Sequence, residues 1–131
     1  LAWCGDKGVG METFRTLVLL VVALIHLAPG VGVLSSARLR QLYGVAPQDP
    51  TLLLLMRHRA VLFAILGAGF FAAAFQPGLH GPALLAAAAA LGSFLTLAGR
   101  GTTRTAHIRR LVAIDATVLL GVIAAGGSLL M

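Results

Sequence analysis

Between residues 16 and 34 the chain reads TLVLLVVALIHLAPGVGVL, with His26 as its only ionisable side chain. An α-helix needs about 20 apolar residues to cross the roughly 30 Å hydrocarbon core of a bilayer, and this run is of that length. Such a segment constrains the whole fold, because backbone groups in lipid must be satisfied internally. The pattern then recurs. LLLLM at 52–56 and AVLFAILGAGFFAAAF at 60–75 flank the basic triplet RHR, ALLAAAAALGSFLTLA fills 83–98, and LVAIDATVLLGVIAAGGSLL fills 111–130. Apolar types make up 59% of the 131 residues and charged types 11%, against about 45–50% and about 25% in soluble domains. With a mean hydropathy of +0.97, the composition excludes a soluble globular domain and a disordered tail.

The expected fold is therefore all-α: a polytopic membrane protein built as a bundle of four transmembrane helices, with spans at about 16–34, 60–76, 83–98 and 111–130. They form one domain, 16–131, after a short extracytoplasmic segment, 1–15, whose opening LAWCGDKGVG is unpatterned. Met11 reads as the start of the folded region. A signal peptide is the rival reading of the first run, but the run exceeds a usual h-region and no small-x-small cleavage site follows it. Pro29 is expected to kink this helix, which would continue through SSARLRQLY and stop at Gly44. Asp49 and Pro50 form an N-cap and first-turn pair. The stretch 60–75 rises only about 24 Å, so a helix from about 51 to 76 is expected, with Arg57 and Arg59 snorkelling to the headgroups or facing protein. QPGLHGP at 76–82 is a turn. Small residues recur every fourth position at Ala60, Ala64, Ala68 and Ala72, at Ala86 and Ala90, and at Gly121 and Ala125, rows that permit close helix approach.

Ten Lys and Arg against four Asp and Glu give a net charge of +6. The charges fall in short segments between apolar runs, the signature of cytoplasmic loops rather than of a nucleic-acid surface. Arg38, Arg40, Arg57 and Arg59 lie between the first and second spans; Arg100, Arg104, Arg109 and Arg110 lie between the third and fourth. Only Lys7 and Arg15 lie on the other side. Both long loops are thus expected in the cytoplasm, with both termini outside, in a bacterial inner (plasma) membrane. Cys4 is the single cysteine, so neither an intrachain disulfide nor a cysteine metal site can form.

A few polar residues at membrane depth are the candidate functional groups. Asp115 lies roughly 7–8 Å into the membrane from the cytoplasmic side, where an unpaired carboxylate is costly. It should pair with Arg57, Arg59 or Arg110, either as a salt bridge between the fourth helix and the second or as a proton- or substrate-coupling group. His26, near the middle of the first helix, is the deepest ionisable residue. It either satisfies neighbouring backbone or serves a proton- or quinone-linked role; haem ligation lacks a second ligand. Arg57, His58 and Arg59, with Arg38, Arg40 and Arg110, form a basic ledge suited to an anionic lipid headgroup. Gln76 and His80 mark the outer turn. No metal site is expected.

The segments HLAPG, RQLYGV, LLLLMRHRAVLFAILGAGFFAAAF and RRLVAIDATVLL together resemble a poorly characterised group of small bacterial four-helix integral membrane proteins. The resemblance covers about residues 12–130, with RHRAVLF its most specific part, and implies that His26, Arg57, His58, Arg59 and Asp115 are its recurring polar positions. A looser similarity is to DoxX-like membrane proteins, some linked to quinone-dependent oxidation, although their glycine-lysine patterns are missing here. Three functions are expected in turn. The first is a small accessory subunit packing among membrane lipids with other membrane subunits or as a homo-oligomer. The second is a lipid- or quinone-binding redox component. The third is a small proton-coupled transporter acting as an oligomer, although the first span lacks the glutamate that such exporters use. No catalytic residue is assigned, since neither a nucleophilic triad nor a pair of convergent acids is present, and no cofactor beyond bound lipid or quinone is expected.

Overall fold

The computed structural model describes residues 2–29, 49–101 and 106–130, with side chains from Val9 onward. Helix α1 spans Ala2–Leu27, α2 Pro50–Ala74, α3 His80–Arg100 and α4 Ala106–Gly127, and a 3-10 turn at Pro77–Leu79 joins α2 to α3. Three stretches, Val9–Leu27, Pro50–Ala74 and Pro77–Arg100, are long and apolar enough to cross a membrane. Helix α4 is of comparable length, 22 residues, and carries Arg109, Arg110 and Asp115 in its first half.

Helix α2 begins at its expected cap: an Asp49 carboxylate oxygen accepts from the Thr51 amide at 3.0 Å. Pro50 takes the first helical position, where a missing amide costs nothing. The helix then runs unbroken through Arg57 and Arg59. Helix α1 differs from expectation at both ends. It starts at Ala2, so the segment before Thr16 is helical; its glycines weaken the helical pattern, but no proline stops it. α-Helical bonding ends at Leu27 and residues 28 and 29 close as a 3-10 turn. Pro29, with no amide to offer Ile25, terminates the ladder instead of kinking its middle. The expected continuation to Gly44, with Arg38 and Arg40, lies outside the described residues.

Helix α1 touches all three others and packs most extensively on α2. Helices α3 and α4 form a second close pair, and contact between α1 and α4 joins the pairs. Helices α2 and α3, although consecutive, meet only sparsely. The buried core mixes small and large residues: Ala23, Ala73, Ala74, Ala83, Ala87 and Ala125 pack with Val18, Leu19, Val22, Phe70, Leu84, Leu91 and Val122. Many other large side chains face outward, with Ile65 63%, Leu85 74% and Leu120 69% exposed. That distribution suits lipid, where helices gain nothing by hiding leucine and associate through close van der Waals contact.

The face of α2 that meets α1 is not the expected four-residue row. Ala60, Gly67 and Ala74 are buried, whereas Ala68 and Ala72 are exposed. Steps of four advance about 40° around a helix and leave an interface after two turns, whereas steps of seven drift only about 20°. On α3, likewise, Ala87 is buried and Ala86 is exposed. The closest approach is at Gly67, where an added Cβ would lie 2.6 Å from Leu27 Cγ and 3.0 Å from the Ala23 carbonyl oxygen. Gly67→Leu is expected to destabilise the bundle by about 1–3 kcal/mol through overpacking. Gly67→Ala should cost much less, because helix propensity returns about 1 kcal/mol. Thermal unfolding of both variants in detergent checks the ordering.

Candidate functional site

His26 lies in the last turn of α1, nearer the helix end than its middle, and is 3% exposed. Its Nδ1 is 2.8 Å from the Val22 carbonyl oxygen. A carbonyl only accepts, so Nδ1 carries a proton and Nε2 holds the lone pair whenever the ring is neutral. Two phenyl rings of α2 fix the imidazole, Phe63 at 5.4 Å and Phe70 at 5.1 Å between centroids, both near perpendicular. These rings stand on the α2 face that the glycine at 67 brings close to α1.

Arg59 starts one turn before Phe63 and turns toward it, with Cζ 5.0 Å from the ring centroid. Arg59 is exposed, and its guanidinium turns along α2 toward Phe63 instead of toward the helix N-terminus, gaining a cation–π contact there. Asp115, on α4, is partly buried. All three side chains line one cavity of about 60 Å³, together with Phe63 of α2, Leu91 and Phe94 of α3, and Leu111 of α4. Every helix contributes to its wall. Asp115 is about 20 Å along α4 from Ser128, and Arg59 about 22 Å along α2 from Ala74, so the site sits about two thirds of the way across the bundle.

Chemically the cavity offers a carboxylate acceptor, a guanidinium donor and an imidazole that does either. That set can hydrogen-bond a compact polar group or exchange a proton between Asp115 and His26 through water; the volume admits a few waters. A whole quinone ring or haem exceeds it.

The remaining expected site residues lie elsewhere. Arg57 is partly buried and does not line the cavity, and its Nε has no hydrogen-bond partner among the described residues. His58 and Arg110 are exposed. Arg110 stands five positions before Asp115, about 140° around the helix, which directs it away from the carboxylate. Among the described residues no group of three or more His, Cys, Asp or Glu could hold a metal ion.

A second polar cluster, at the opposite end, was not among the sequence-derived candidates. His80, expected near the surface, is 1% exposed, and its Nε2 donates to the Ala74 carbonyl at 3.0 Å. Thr16 donates to the same oxygen at 3.1 Å. Arg15 donates to the Ser128 hydroxyl at 2.8 Å and the Ser128 carbonyl at 3.0 Å. The last carbonyls of a helix have no intrahelical partner, and these donors serve the ends of α2 and α4. The available signal was a histidine opening α3 directly after a turn. His80→Leu, which leaves Ala74 with Thr16 alone, should lower stability by about 1–2 kcal/mol. Combining it with Thr16→Val should cost more than either change, as read by unfolding in detergent.

Comparison with family models, curated proteins and solved structures gave no match for this chain.

Proposed function

We propose that this chain is a four-span integral membrane protein whose cavity holds the compact polar head of a membrane-soluble lipid. The observation that carries the reading is the convergence of His26, Arg59 and Asp115, from three helices, on one cavity lined also by apolar side chains of all four. Side chains serving only to lock helices together would leave no space between them. Polar groups at this depth are expensive to maintain, which makes a functional role their default reading.

The proposal places α4 as the fourth span, with Arg109 and Arg110 at its entry and both termini outside. The orientation rests on Arg38, Arg40, Arg57, Arg59, Arg100, Arg104, Arg109 and Arg110 against Lys7 and Arg15. Cysteines placed at residues 44–48 should be labelled by a membrane-impermeant reagent only after the inner face is exposed. Labelling from outside would refute the orientation.

Native mass spectrometry of the detergent-released protein tests the function. A bound amphiphile is expected on the parent chain, reduced at least about tenfold in Asp115→Asn and His26→Leu. Equal retention by all three would remove the cavity from ligand binding. A second reading, a subunit packed in a larger assembly or a homo-oligomer, is favoured by the outward-facing Ala68 and Ala72 of α2. It requires that Ala68→Trp dissociate a complex that survives Asp115→Asn.

A further inference from the structure

Beyond the polar cavity, a wider groove of about 580 Å³ runs along the seam where α2 and α3 fail to close. The two spaces share Arg59, Phe63, Ala90 and Phe94, so the cavity opens into the groove between two phenyl rings. From there the groove is walled by Leu66 on α2, Ser93 and Leu97 on α3 and Ile108 on α4. Leu66 is about 12 Å along α2 from Ala74, and Ile108 about 30 Å along α4 from Ser128. The groove thus extends along roughly 18 Å of the bundle, with the mouth of the cavity near its middle, so a chain leaving the cavity has about 10 Å of groove, roughly eight carbons, before it enters the surrounding lipid.

We propose that the occupant is a single-chain amphiphile with a compact, uncharged, hydroxyl- or carbonyl-bearing head, its head in the cavity and its chain in the groove. The inference rests on the ligand-binding reading above and narrows it. Size and charge carry it. A cavity of about 60 Å³ admits a head of only a few heavy atoms, which rules out a phosphoglycerol group. The cavity already contains one fixed cation, Arg59, and one carboxylate, Asp115, which offset each other. A second anion would meet the Asp115 charge, whereas a hydroxyl donates to the carboxylate and accepts from the guanidinium or the imidazole. The groove wall is apolar apart from Arg59 and Ser93, and Ser93 directs its hydroxyl to the Ala90 carbonyl at 2.9 Å on its own helix. Nothing polar is therefore asked of the chain that lies there.

The test offers the full-length protein in detergent 1-hexadecanol, palmitate at a pH where it is ionised, and a phosphatidylglycerol, in equal amounts. Adducts are counted by native mass spectrometry. One hexadecanol per protein is expected, preferred at least about tenfold over palmitate and over the phospholipid. Ser93→Phe places a ring in the groove from an exposed position and should abolish the adduct; Leu66→Phe does the same from the opposite wall should the first variant fail to fold. Asp115→Asn should erase the preference over palmitate. Palmitate or phospholipid bound as well as the alcohol, with loss in Ser93→Phe, would overturn the head-group assignment and leave the ligand-binding reading standing. An adduct indifferent to Ser93→Phe, Leu66→Phe and Asp115→Asn would overturn both.

Discussion

The contact between Gly67 and the Ala23 carbonyl sets the spacing of α1 and α2, and that spacing decides where the polar side chains can go. With the two backbones this close, Phe63 and Phe70, on the same face of α2, meet the ring of His26 edge-on. The imidazole is pinned between them and its own helix. Arg59, one turn before Phe63, finds an aromatic face beside it and a carboxylate across the bundle. A larger residue at 67 would separate the helices and withdraw both rings from His26. The polar site is thus a consequence of apolar packing one turn away, and its preorganisation comes from groups that carry no charge.

The two ends of the bundle solve the same problem differently. Where α2 and α4 finish, their unpaired carbonyls are met by side chains from neighbouring helices: Thr16 and His80 at Ala74, Arg15 at Ser128. Those bonds tie helices together at that level. Toward the other end, α2 and α3 part, and the space between them holds the cavity and the groove. The fold is tight where backbone ends need partners and open where ionisable side chains gather.

Much of this was legible from residue order. The apolar runs identify the helices, Asp49 before Pro50 marks the start of α2, and Arg59 and Asp115 were legible as approaching from the same side, with His26 expected deeper than the structure places it. Other features were hidden for physical reasons. Helix α1 extends back to Ala2 through glycines that propensity alone would count against it. The four-residue rows of alanine looked like interfaces, but the true face of α2 steps by seven and includes a glycine. Arg57 and Arg59 are indistinguishable by type and nearly so by position, yet a 200° turn of the helix sends only one of them to the cavity. Burial of His80 depends on a carbonyl contributed by a different helix, which no local pattern encodes.

Alanines at the helix contacts, with many large side chains outside, also change which positions tolerate substitution. In a water-soluble protein a leucine is guarded and a surface alanine is free to vary. Here Ile65, Leu85 and Leu120 lie mostly exposed and can exchange with aliphatic or aromatic side chains of similar polarity. The alanines at 23, 74, 87 and 125 are instead the residues whose enlargement the bundle cannot absorb. A substitution map of this chain would place its greatest sensitivity at its smallest side chains.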